Sequence, residues 1–215
     1  MPNSHAYANA MSLMAICSGT AIIYPSEAFE PQLMFSALLQ EHVTHVSVVP
    51  TMITALCAIK EATGSELPHL KSIMVGGAVV SPLVLSQSIK DLGAESFENA
   101  YGMTDGVFLT LGAKRDPNAY IDGEEVTVGK VLPGSAVKIC SPKDVSKSLL
   151  RNDIGELHYS GPLNCNGYVG MGLTDDWYVD NKGTRWFRTG DQARMDEQVS
   201  LTGIKQVQNK QSHSQ

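Results

Sequence analysis

The pace at which strand and helix signals alternate between residues 31 and 102 constrains this chain more than any other feature. "PQLMFSALLQEH" (31–42) sets apolar residues at helical spacing, with Pro31 at its start. "VTHVSVVP" (43–50) is a β-branched strand stopped by Pro50, and "TMITALCAIKEAT" (51–63) is a second helix ending near Gly64. "LKSIMVGG" (70–77) reads as a strand. "SPLVLSQSIKDLG" (81–93) reads as a helix with Ser81 as N-cap, Pro82 at the first helical position and Gly93 beyond its end. "ESFENAYG" (95–102) closes the series as a strand. Upstream, residues 6–18 have helical spacing ended by Gly19, and "TAIIY" (20–24) reads as a short buried strand before Pro25. Strands separated by helices need crossover connections, so the expected fold is α/β, with a mainly parallel sheet flanked by helices.

After about residue 115 the texture changes. "KRDPNAYIDGEE" is a polar connection, followed by the short runs "TVGKVL", "SAVKIC", "GELHYSG", "WFRTGD", "QARMD" and "VSLTG" between turn formers. That spacing predicts antiparallel strands in a small distorted β-barrel. "SPKDVSKSLLRND" (141–153) reads as an exposed loop between two of them. The expected organisation is an α/β subdomain over 1–115, a β-barrel subdomain over 120–205 and a flexible tail over 206–215.

The chain has 215 residues, 43% hydrophobic and 18% charged, as in ordinary soluble globular proteins. A net charge of −6 and the lack of a Lys/Arg run argue against a nucleic-acid or anionic-membrane partner. Cys17, Cys57, Cys140 and Cys165 form no C-x-x-C pair, which argues against a structural zinc site or redox dithiol. They read as reduced, mostly buried thiols of a cytosolic protein. The N-terminal stretch has no positive region and no long unbroken apolar run, so neither a signal peptide nor a membrane span is expected, and the expected location is the cytoplasm. His42, His45, His69 and His158 show no metal-ligand spacing and are expected to be structural.

Three clusters stand beside expected strands, and the first two follow one, where ligands of parallel α/β sheets bind. Gly76, Gly77 and Ala78 permit a tight turn and close approach by a ligand, or form a plain strand-to-helix turn. In "NAYGMTD", Tyr101 offers a ring for stacking a base, Gly102 an unusual backbone angle and Thr104 a hydroxyl for a phosphate oxygen. Asp105 is a hard oxygen ligand suited to Mg²⁺ shared with phosphates. A structural turn is the competing reading. In "FRTGD", Asp191 can accept hydrogen bonds from ribose hydroxyls, while Arg188 is expected to pair with a carboxylate and hold the turn. His5 precedes a helix carrying Tyr7 and Met11 along one side, and by itself reads as a surface or satisfied histidine.

In this order, "LKSIMVGGAVVSP", "NAYGMTD", "GKVLPGSAVKI", "GELHYSGPLNCNGYVG" and "WFRTGDQARMDEQVSLTG", with the segment from His5 to Leu56 before them, resemble the adenylate-forming superfamily of acyl- and aryl-CoA synthetases, luciferases and peptide-synthetase adenylation domains. The resemblance runs along nearly the whole chain. It implies nucleotide binding by Gly76, Gly77, Ala78, Tyr101 and Asp191, with Tyr101 against adenine and Asp191 on the ribose. It implies Thr104 on the α-phosphate and Asp105 on Mg²⁺ as the catalytic pair, with His5, Gly76, Gly102 and Met103 lining an acyl pocket. The implied ligands are ATP or AMP with Mg²⁺, a carboxylic acid or acyl substrate, and CoA or a carrier protein.

The pattern also departs from the family. Its Ser/Thr/Gly-rich phosphate loop precedes the first matching segment, its C-terminal lid with the catalytic lysine follows the last, and neither is among these residues. Ile204 stands where the family carries a ribose-binding arginine, and Asp105 replaces a glutamate. Much of the positive charge that nucleotidyl transfer needs is therefore missing. The expectation is a truncated synthetase-like protein with a residual AMP/acyl pocket. The alternatives are an ATP-independent enzyme performing cyclisation, isomerisation or hydrolysis on an acyl or polyketide-like substrate, and a non-catalytic partner protein. A homodimer or a partner chain is expected to cover apolar surface left exposed.

Overall fold

The computed structural model describes residues 3–114, 121–122, 125–172, 174–197 and 200–206. Helix α1 (Ala6–Cys17) leads through an irregular segment to α2 (Pro31–Gln40), β1 (His45–Val48), α3 (Pro50–Thr63) and β2 (Ser72–Val75). Then come α4 (Pro82–Ser86), a π-helical turn over Gln87–Asp91, β3 (Ser96–Met103) and β4 (Gly106–Lys114). The later strands are β5 (Ile121–Asp122), β6 (Glu125–Val126), β7 (Gly129–Val131), β8 (Ala136–Ser141), β9 (Asp144–Ser148), β10 (Gly155–Ser160), β11 (Trp177–Val179), β12 (Arg185–Met195) and β13 (Ser200–Gln206).

The helix starts follow from local chemistry. Pro31 and Pro50 sit in the first turns of α2 and α3, where a missing N–H costs nothing. The Ser81 hydroxyl accepts from the Val84 N–H at 3.3 Å, and Gly64 ends α3 in the left-handed region. Phe35, Leu38, Met52, Ile53 and Leu56 then pack with Val48, Ile73, Val75 and Phe97 of the sheet into one apolar cluster. A smaller cluster joins Ile139, Leu157, Ala193, Met195 and Leu201.

The strands form an 11-stranded sheet in the order β1-β2-β3-β4-β7-β13-β12-β10-β8-β9, with β11 on β12. β1, β2 and β3 are parallel neighbours, and from β3–β4 onward the pairings are antiparallel. The α/β class and the change from crossover-linked strands to antiparallel ones hold as the sequence predicts. Among the described residues the antiparallel part continues the same sheet and closes no barrel; β5 and β6 pair separately.

Several local expectations fail. Residues 20–24 are irregular, with Ile23 and Tyr24 exposed, because no described strand offers them a hydrogen-bonding ladder. Residues 144–148 are not a loop but the edge strand β9. Lys147 and three serine or aspartate neighbours keep that edge polar and leave Val145 as its one half-buried apolar residue. The strand β4 had no counterpart in the sequence reading. The cysteines are free, but only Cys140 is buried; Cys57 and Cys165 are half-buried and Cys17 is exposed near the end of α1. No described helix is long and apolar enough to cross a membrane. Of the tail expected over 206–215, Gln206 instead closes β13 against β12, and residues 207–215 lie outside the described residues.

Candidate functional site

The parallel strands β2 and β3 end at Val75 and Met103, which brings the Gly76–Gly77 turn and the Gly102–Asp105 turn to the same end of the sheet. Between them and the start of α1 lies a cavity of about 160 Å³, walled by His5, Ala6, Tyr7, Gly76, Gly77, Ala100, Gly102, Met103 and Thr104. Six positions singled out in the sequence thus meet there: His5, Gly76, Gly77, Gly102, Met103 and Thr104. Ala78 is exposed and not part of the wall.

Each wall residue has a physical reason for its place. The His5 Nδ1 accepts from the Tyr7 N–H at 3.2 Å, so this side chain caps α1 and faces the cavity at once. Tyr7 is buried and its hydroxyl donates to the Met74 carbonyl at 3.0 Å, which ties α1 to β2. Burial pushes that phenol above its usual range. A Cβ on Gly76 would stand 3.2 Å from the Ala100 carbonyl oxygen and 3.4 Å from the Tyr7 ring, so only glycine lets the turn lie this close. Gly77 has φ +78°, the left-handed region.

Alternate residues of a strand face opposite sides. Ala100 and Gly102 line the cavity, while Tyr101 reaches across the molecule to Asp191, 90 positions away, and its hydroxyl donates to that carboxylate. Burial and then the Asp191 charge hold the Tyr101 phenol well above its usual range. Asp191 lies not on a turn but within β12, just after Gly190 at φ +74°, in a stretch pinned twice by Thr189, whose hydroxyl donates to the Leu157 carbonyl at 2.8 Å and accepts from the Asp191 N–H at 3.0 Å. Arg188 grips the buried Glu156 carboxylate at 2.8 and 3.3 Å and holds β12 to β10, as its structural reading expects.

Asp105 lies one residue beyond the cavity wall. Its carbonyl accepts from the Cys165 N–H at 2.9 Å and its carboxylate from the Cys165 thiol at 3.9 Å. Burial, followed by interaction with the Asp105 carboxylate, raises the Tyr168 phenol above its usual range. No group of three or more His, Cys, Asp or Glu among the described residues could hold a metal by itself. A single carboxylate suits Mg²⁺ only when substrate phosphates supply other ligands, and to that extent Asp105 fits.

Sequence reasoning missed Ala6 and Ala100 in the wall, the anchoring role of Thr189, and the approach of Cys165 and Tyr168 to Asp105. The last contacts join residues about sixty apart, for which no local pattern exists.

The description AMP-binding enzyme matches residues 1–169. An acyl-CoA ligase of Ajellomyces capsulatus, SID4, is 30% identical over 207 residues, covering 94% of this chain and 35% of the relative. The ATP-bound MatB of Rhodopseudomonas palustris superposes with a TM-score of 0.75 at 25% identity, over 95% of this chain and 38% of that one. A long-chain-fatty-acid-CoA ligase of Archaeoglobus fulgidus superposes with a TM-score of 0.82 at 20% identity, over 96% and 42%. The chain thus spans about a third of the length of the curated relatives it matches.

Proposed function

Since this chain belongs to the AMP-binding enzyme family, we propose that it keeps that family's acyl and nucleoside-monophosphate pocket without being a complete ligase by itself. The observation that carries the reading is the pairing of two features at one end of the sheet. The glycine-walled cavity opens beside Thr104, and Tyr101 is hydrogen-bonded to Asp191 one residue from its wall.

In this reading Gly76, Gly77 and Ala78 lie along the adenine, Tyr101 stacks on it and Asp191 accepts from the ribose hydroxyls. A carboxylate has lone pairs enough to accept from Tyr101 and from a ribose together. Thr104 donates to the α-phosphate. His5, Gly102 and Met103 border the acyl chain, and the small glycine wall sets its width. Asp105 would help hold Mg²⁺, which would offset phosphate charge when bound. Among the described residues no Lys or Arg lines the cavity, so charge for a leaving pyrophosphate has to come from another polypeptide segment. The proposed substrates are accordingly a carboxylic acid, ATP or AMP, and CoA or a carrier protein, with turnover dependent on a complementing chain.

Titration of AMP with Mg²⁺ into the chain and into Asp191→Ala by calorimetry tests this. Binding to the native chain, weakened at least about tenfold in the variant, is expected, which corresponds to about 1.4 kcal/mol. No binding at millimolar nucleotide would discard it in favour of acyl chemistry without ATP.

A further inference from the structure

The end of the sheet opposite the cavity holds a second cluster of titratable groups. His42 follows α2 and His69 precedes β2, so both lie near the amino-terminal ends of the neighbouring parallel strands β1 and β2. Their rings face each other: His42 Nδ1 stands 2.7 Å from His69 Nε2, with ring centroids 4.2 Å apart and planes at 52°. Both side chains are exposed, and the two nitrogens come from loops 27 positions apart in sequence.

We propose that His42 and His69 form a bidentate site for a divalent transition cation, of the Ni²⁺ or Cu²⁺ type. Imidazole nitrogen is a preferred ligand for these ions. At a bond length of about 2.0–2.1 Å, two nitrogens on one cation lie about 2.9 Å apart at a right angle and about 3.4 Å apart at a tetrahedral angle. The observed 2.7 Å is much nearer the first, so the pair favours cis positions of an octahedral or square-planar ion over tetrahedral Zn²⁺. In the free protein one ring must donate its hydrogen to the other. Coordination needs a tautomer change and a slight parting of the two nitrogens, by about 0.2 Å, each ring keeping its proton on the nitrogen that faces away. No third His, Cys, Asp or Glu joins the pair among the described residues, so water fills the other positions and the site binds modestly. It would clip the loop before β1 to the loop before β2.

The test is calorimetric titration of the untagged chain with Ni²⁺ and with Zn²⁺ at neutral pH, on the native chain and on His42→Asn, His69→Gln and His45→Gln. Asparagine tolerates the left-handed backbone of His42 (φ 52°), so that variant keeps the loop. His45 is the control, since its Nδ1 bonds the adjacent Thr44 hydroxyl at 2.9 Å. One equivalent of Ni²⁺ is expected, bound more tightly than Zn²⁺. Affinity should fall at least about tenfold in each of His42→Asn and His69→Gln, and stay unchanged in His45→Gln. Paramagnetic broadening by Ni²⁺ should fall first on the His42 and His69 ring protons. No binding below about 1 mM, tighter binding of Zn²⁺, or affinity that survives both substitutions would overturn the proposal. Far-UV circular dichroism shows whether each variant is folded.

Discussion

An alanine at Gly77 would meet only ordinary contact, the Val49 side chain at 3.6 Å, yet it would have to hold φ +78°. The cost is backbone strain alone, about 1–2 kcal/mol. Gly77→Ala is therefore expected to lower the denaturant midpoint and, because its Cβ meets Val49, to weaken ligand binding less than Gly76→Ala does. Gly76→Ala differs, since its Cβ meets the Ala100 carbonyl and the Tyr7 ring. Both neighbours line the cavity and have to give way, so a titration with AMP or an acyl ligand should show weakened binding. Equal affinity loss in both variants would contradict this division. The glycine pair was legible in the sequence because a Gly-Gly step after an apolar strand has few uses. The partnership of Tyr101 with Asp191 was legible only as two separate candidates, since nothing local links residues 90 positions apart. Of the two roles of His5, its place in the pocket was expected from the family resemblance, but the cap could not be read, because histidine is not a usual N-cap residue.

At the scale of elements, β10 and β12 are joined by a polar lock inside an otherwise apolar layer. Burial alone would push the Glu156 carboxyl up, but the nearby His158 ring, whose Nε2 stands 3.6 Å away, and the hydrogen bonds and charge of Arg188 bring it down to about 2. The folded value lies below the unfolded one of about 4.5. Its contribution to stability is thus present above that value and is lost as pH falls from about 4.5 toward 2. Unfolding free energy measured across that window should drop in the native chain and drop less in Glu156→Gln. Arg188→Ala leaves the Glu156 carboxylate, only 6% exposed, without its main partner. A loss of about 1–3 kcal/mol is expected by urea unfolding. The sequence indicated that Arg188 would pair with a carboxylate, because an arginine beside a glycine turn has that common use. It could not indicate which one, since antiparallel register decides that. Strand β9 was missed for a related reason: an edge strand buries little, so its composition resembles a loop.

For the whole molecule, the uneven distribution of apolar surface carries the main expectation. Helix α1 buries only Tyr7 and Ala8, while Leu13, Met14 and Ile16 are each more than half exposed, and Ile23, Tyr24 and Leu33 continue the exposed run. Such a surface is expected to associate with a second copy or a partner chain. Sedimentation velocity should show self-association or, with a partner, a mixed complex, and Met14→Asp with Ile16→Asp should abolish it. A native chain that stays monomeric with every candidate partner, and binds no hydrophobic dye, would count against it. The fold class was readable from the alternation of periods over residues 31–102. The union of all the longer strands in one sheet was not, because it rests on β4, β7 and β13, whose pairings span the chain.

That placement has a consequence for how the chain is made. β13, the last described strand, lies in the interior of the sheet, with β12 on one side and β7 on the other. A ribosome emits β1 to β3 early, and these can zip with their helices while synthesis continues. β8, β10 and β12 can pair among themselves as they emerge, but among the described strands no ladder joins them to the first half until residues 200–206 arrive to fill the gap, and only contacts such as Tyr101–Asp191 and Asp105–Cys165 link them before that. Strand-to-strand joining of the two halves thus waits for residues 200–206, and a nascent chain stalled before residue 200 would present two open sheet borders to chaperones and proteases.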